Sequence, residues 1–165
     1  MSLVSRITDI IEKLGAVDSP FKLSYNLIMR LIEARHPARL DAKHPLIVEN
    51  LLEISQANHQ EALNSIIQML EDLLQNELNS RYAKTLQGTP IWELKTRSRG
   101  GIKGGARVYW FPLQILEGDT KEIIAVLVNA EVKPESKPNK QKLLEALEVY
   151  FSFKQDPITM FRRSS

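Results

Sequence analysis

The stretch Leu86-Gln87-Gly88-Thr89-Pro90-Ile91-Trp92-Glu93-Leu94-Lys95-Thr96-Arg97 is where the chain changes period. Before it, Leu63, Ile66, Ile67, Leu70, Leu73, Leu74 and Leu78 recur at helical spacing, with Glu61, Glu71, Asp72 and Glu77 off that face. From Ile91 the period is two: Ile91, Glu93 and Lys95 on one side, Trp92, Leu94 and Thr96 on the other, as in a half-buried strand. Gly88-Thr89-Pro90 breaks the helical pattern. Downstream, Ser98 to Gly105 carries four glycines and reads as a flexible turn. Ala106 to Phe111 is a second strand ended by Pro112, Glu117-Gly118-Asp119 a hairpin turn, and Glu122 to Val128 a β-branched, apolar central strand. Val132 to Pro138 is a connection broken by proline, after which Asn139 caps a last helix through Lys142, Leu143, Leu147 and Tyr150.

Working towards the N-terminus, Asn58 with Glu61 three residues on resembles a capping box opening the Leu63–Leu78 helix. Leu46 to Gln56 is a short helix after Pro45, and Pro37 to Pro45 is a loop. Leu23, Leu27, Ile28, Leu31 and Ile32 continue a helical stripe begun at Ser19-Pro20, with a strand within Leu27 to Ala34 as the alternative. Leu3, Ile7, Ile10, Ile11 and Leu14 form another amphipathic helix stopped by Gly15. The order predicts an α+β fold: N-terminal helices packed on a small antiparallel sheet of three or four strands, Ile91 to Val128, and a C-terminal helix. Residues 1–45 read as a helical N-terminal extension, 46–155 as the main domain and 156–165 as a tail. The extension's apolar stripes require burial against the domain or against a second copy, which makes a homodimer arm an expectation.

Of 165 residues, 43% are hydrophobic and 25% charged, a mix that folds. Absence of cysteine excludes disulfides and thiolate metal sites and makes a reducing, cytoplasmic compartment the default. Met1 to Gly15 lacks the apolar core of a signal peptide, and nothing approaches the run of about eighteen apolar residues of a membrane span. Net charge is only +2 but uneven: residues 1–80 hold seven basic and eleven acidic groups, whereas Arg81 to Pro112 holds Arg81, Lys84, Lys95, Arg97, Arg99, Lys103 and Arg107 against Glu93 alone. Such a stripe suggests a polyanion such as RNA, the alternative being a solvated hairpin face. His36, His44 and His59 have no second ligand at helical spacing, and the glycine turn lacks a Gly-Lys-Ser/Thr opening a helix, so neither a metal nor a nucleotide cofactor is expected.

The signature strand resembles that of RelE/HigB-type toxins, ribonuclease halves of bacterial toxin–antitoxin pairs, in which L-x-G leads into W-E-L-[RK]. Ala106-Arg107-Val108-Tyr109-Trp110 resembles the family's arginine-bearing strand, and Glu131 to Pro138 stands where it has a basic segment before the last helix. Here Glu131 and Pro134 replace that segment's aromatic and second lysine, and no histidine or tyrosine stands where members often carry a general acid near the last helix. The resemblance covers about 70 residues, with Leu46–Gln56 and Asn58–Asn79 as the family's helical hairpin. It implies a metal-independent endoribonuclease that cleaves messenger RNA at the ribosome, inhibits translation and is neutralised by an antitoxin. The same fold acting without catalysis on a protein or RNA partner, as related ParE toxins act on gyrase, is the alternative. The resemblance makes Lys95, Arg107 and Lys133 the catalytic candidates, with Arg97, Arg99, Lys103 and Lys137 binding RNA; Arg107 as an ion-pair partner of Glu93 is the other possibility for that residue. Trp92, Trp110 and Phe111 are assigned to the core in preference to stacking on bases, and Glu93 to a structural role in preference to that of a base.

Overall fold

The computed structural model describes residues 27–96, 105–117, 120–132, 138–156 and 160. Strand β1 (Leu27–Glu33) and a 3-10 turn (Pro37–Arg39) lead to helices α1 (Leu46–Gln56) and α2 (Gln60–Asn76). A second 3-10 turn (Glu77–Asn79) precedes strands β2 (Ala83–Thr85), β3 (Trp92–Lys95), β4 (Ala106–Glu117) and β5 (Thr120–Val132), and helix α3 (Lys140–Gln155) follows. The strands form one sheet in the order β1-β5-β4-β3-β2. Pairing is antiparallel except between β1 and β5, where Leu27 faces Lys121 and Glu33 faces Leu127 in parallel register.

Helices cover both faces. On one, Ile47, Leu51, Leu63, Ile66, Leu70 and Leu73 from α1 and α2 bury against Leu94, Val108, Trp110, Ala125 and Leu127. On the other, Ala146, Val149 and Phe153 of α3 bury against Tyr109, Phe111, Ile124, Val126 and Val128. Phe111 meets both Tyr150 and Phe153 edge-on, at centroid separations of 5.2 and 5.7 Å. Coverage on both faces explains why β5 reads as a continuous apolar run rather than an alternation. The α+β class, the meander, the helical hairpin Leu46–Asn79 on one face and the C-terminal helix match the expectation from sequence.

Three expectations are corrected. The stripe through Leu27–Ile32 takes its alternative form, a strand, so among the described residues the sheet has five strands and one parallel pair, and a strand precedes the helices. Leu31 and Ile32 are 4% and 7% exposed and enter opposite cores; consecutive apolar residues, needed where both faces are covered, contain helical spacing as a subset. The helices read between Ser2 and Tyr25, and the tail beyond Asp156 apart from Met160, lie outside the described residues. Next, β2 precedes the Gly88 turn, so the Gly88-Thr89-Pro90 break separates two strands; Gly88 has φ +80°, and Leu86 donates its N–H to the Ile91 carbonyl at 3.0 Å.

Finally, Asn58 does not cap α2. It stands at φ 65°, past the end of α1, where its N–H donates to the Ser55 carbonyl and that of His59 to the Ile54 carbonyl. This is a Schellman terminator, and asparagine is one of the few non-glycine residues that adopt the left-handed conformation at low cost. At the other end of the domain the cap on α3 is as expected: Asn139 Oδ1 accepts from Gln141 N at 2.9 Å and Lys142 N at 3.1 Å.

Candidate active site

Alternation along three neighbouring strands assembles the site. Lys95 on β3 lies opposite Arg107 on β4, and Arg107 lies opposite Glu131 on β5. The next row is Glu93, Tyr109 and Asn129. Residues two apart share a face, so both rows lie on the face covered by α3. For β5 this depends on a register shift between Tyr109 and Trp110: Tyr109 pairs with Asn129 but Trp110 with Leu127, leaving Val128 as an extra residue. Before the bulge, Val126 and Val128 face α3; after it, Asn129 and Glu131 do, while Ala130 faces α1 and α2. Ala130 donates its N–H to Asn50 Oδ1 on α1 at 3.0 Å.

The Arg107 side chain is fully buried. Its Nε lies 2.8 Å from Glu93 Oε2, a close ionic contact rather than an aligned hydrogen bond, and Nη1 donates to Glu131 Oε1 at 3.1 Å. Tyr109 Oη donates to the same Glu131 oxygen at 3.3 Å and accepts the Asn139 backbone N–H at 3.0 Å, tying the cluster to the start of α3. Burial, then the Glu131 charge, push the Tyr109 phenol up to about 12, so it remains a proton donor at all ordinary pH. Burial raises Glu131 above the usual carboxylate range, against the opposing pull of Arg107 and, more weakly, of Lys142. Asn129 is also buried and donates to the Lys142 carbonyl at 3.0 Å and Glu145 at 3.3 Å.

Of the residues singled out in the sequence, Lys95 and Arg107 are adjacent, with Lys95 half-buried. The structure gives Arg107 the ion-pair arrangement with Glu93 as well as a second carboxylate, and a guanidinium with no exposed surface is not placed to receive a phosphate directly. Arg97, Arg99, Lys103, Lys133 and Lys137 lie outside the described residues. The chain enters and leaves their two segments at one end of the sheet, because Ala106, which starts β4, pairs with Val132, which ends β5. Trp110 and Phe111 are fully buried and Trp92 packs against Trp110 at 5.3 Å, so these rings belong to the core. Among the described residues no group of three His, Asp or Glu side chains is placed to hold a metal ion, and no helix is long and apolar enough to cross a membrane.

The participant that sequence reasoning missed is Glu131. Counting by twos from Val126 or Val128 puts residue 131 on the α1/α2 face, and only the bulge returns it to Arg107. Its one sequence signal was its departure from a basic segment. No protein-family model, curated protein or solved structure matches the chain.

Proposed function

We propose that the chain is a RelE/HigB-like toxin domain: a cytoplasmic, metal-independent endoribonuclease acting on messenger RNA at the ribosome and held silent by an antitoxin. The observation that carries the reading is the row Lys95–Arg107–Glu131, set at the sheet end to which the basic segments of residues 97–104 and 133–137 attach. The order helical hairpin, antiparallel meander, helix is also the order that the sequence resemblance implies. In this reaction the substrate's own 2′-oxygen attacks the neighbouring phosphorus and the bond to the 5′-oxygen breaks. The protein must neutralise charge on the phosphoryl oxygens and move two protons. Lys95 is the described cation in the row with surface to offer a phosphate, and Arg107 is a positioning residue that holds Glu131. Arg97, Arg99, Lys103, Lys133 and Lys137 supply the surrounding positive field that draws in the RNA backbone.

The burial of Arg107 favours a second reading, in which the same fold binds RNA or a protein partner without catalysis. Induced expression in a bacterium lacking the antitoxin separates the two. The enzyme reading expects growth arrest with loss of full-length messages, relieved by Lys95→Ala while the variant stays folded. Growth arrest with messages intact selects the binding module. A folded chain that neither slows growth nor retains RNA removes both.

A further inference from the structure

The reaction needs a group to take the 2′-hydroxyl proton, and we infer that Glu131 is that proton acceptor, acting beside Lys95 in a row that Arg107 positions. The inference rests on the endoribonuclease reading above. Glu131 Oε1 is fixed by two donors, Arg107 Nη1 and Tyr109 Oη. Its second oxygen makes no hydrogen bond among the described residues, and the side chain keeps 9% of its surface open where that of Arg107 keeps none. A carboxylate held by one oxygen and open at the other is oriented to accept a proton.

The competing groups are placed less well. Glu93 is about as open, at 8%, with its Oε2 against Arg107 Nε, but it stands one row further from the sheet end where the basic segments attach. Tyr109 keeps its proton. His36 is engaged on the 3-10 turn, accepting the Ala38 N–H at 3.1 Å and facing Glu148 of α3 at 3.4 Å. Burial that lifts the Glu131 pKa also strengthens it as a base, provided it is ionised.

In the step proposed, Glu131 takes the 2′-hydroxyl proton as the 2′-oxygen bonds to phosphorus. The bond from phosphorus to the 5′-oxygen breaks, and that oxygen takes a proton from the Lys95 ammonium. A 2′,3′-cyclic phosphate and a 5′-hydroxyl result; Glu131 then releases its proton and Lys95 regains one from solvent, so no oxidant or other reactant is consumed.

The test measures single-turnover cleavage of end-labelled messenger RNA on programmed ribosomes against pH, for wild type, Glu131→Gln and Tyr109→Phe, with circular dichroism and RNA affinity alongside. Glu131→Gln should fold, because Arg107 keeps Glu93, and should bind RNA as wild type does while cleaving roughly 10²–10⁴-fold more slowly. Tyr109→Phe removes a donor that favours the ionised carboxylate. It should move the acid limb of the rate profile to higher pH with little change in the plateau, which a merely structural tyrosine would not do. Folded Glu131→Gln with wild-type rate, or a Tyr109→Phe profile unmoved on the pH axis, overturns Glu131 as the acceptor and leaves the endoribonuclease reading standing. Wild type that leaves the RNA uncut overturns both.

Discussion

Replacing Arg107 with alanine removes the cation that, among the described residues, touches both Glu93 and Glu131, and leaves two carboxylates, 8% and 9% exposed, facing each other across an emptied space. Breaking a buried ion pair by removing one partner costs about 3–5 kcal/mol, because the remaining charge keeps its desolvation without its partner. For a domain of this size, each kcal/mol is worth about 2–4 °C in Tm, so Arg107→Ala should melt about 6–20 °C lower. Equilibrium urea unfolding at neutral pH, followed by circular dichroism, measures the loss directly. The deficit should narrow on acidification. Glu131 already has its pKa raised by burial, and without Arg107 the pull that opposes this is gone. A carboxyl raised in the folded state adds stability below its unfolded pKa and loses it as pH rises through the folded value. Restoring neutrality, with Arg107→Met, Glu93→Gln and Glu131→Gln together, should recover most of the loss. An Arg107→Ala protein within about 0.5 kcal/mol of wild type, the behaviour of an exposed side chain, would refute the clamp.

Glu77 combines φ 55°, 3% exposure and two carboxylate oxygens without a hydrogen-bond partner among the described residues, with its pKa raised by burial. Glu77→Gly should stabilise the domain by about 1 kcal/mol or more at neutral pH in urea unfolding, and the gain should shrink on acidification as the wild-type carboxyl protonates. A destabilised variant would mean that the strained glutamate is held by favourable contacts. Spectrophotometric titration should find one of the four tyrosines ionising near 12, and Tyr109→Phe should abolish that component and cost about 1–2 kcal/mol through the donor–acceptor pair it removes. Asn58→Gly should be neutral or slightly stabilising and Asn58→Ala destabilising by about 1 kcal/mol, the order required by a left-handed terminator; the reverse order would restore Asn58 as a capping residue of α2.

Elements whose periodicity comes from a single face were legible in the sequence. Helix α2 shows one apolar stripe and Asn139 lies directly before α3; Ile91–Lys95 reads as half-buried from its alternation, but both of its faces are covered, with Ile91 in one core and Leu94 in the other and Glu93 buried as well. Strand β1 was legible only as the alternative to a helix, because helices on both sides make consecutive residues apolar and erase the period of two. The site was half legible. Lys95 and Arg107 stand in strands whose pairing follows from the hairpin order, but the burial of Arg107 is a tertiary outcome: it depends on Glu93 and Glu131 arriving from both neighbouring strands. Asn58 misled because asparagine serves helix starts and left-handed helix ends alike, and only the backbone angle separates the two uses.

The extra residue at Val128 gives β5 two reading frames. In the first, even-numbered residues serve the α3 core; in the second, odd-numbered residues do, and Glu131 is written in the second. Deleting Val128 therefore regularises the strand instead of shifting it: Leu127 stays opposite Trp110, Asn129 stays opposite Tyr109, and the faces beyond them are kept. Losing the bulge while keeping its residue is what would change faces: Glu131 would turn into the apolar layer beneath α1 and α2, and Ala130 would take its place beside Arg107. Substitutions at Val128 are expected to be graded by the apolar volume they remove from the α3 core. The face on which the Glu131 carboxylate emerges is thus set by the paired residues after Leu127, and Val128 stands outside that count.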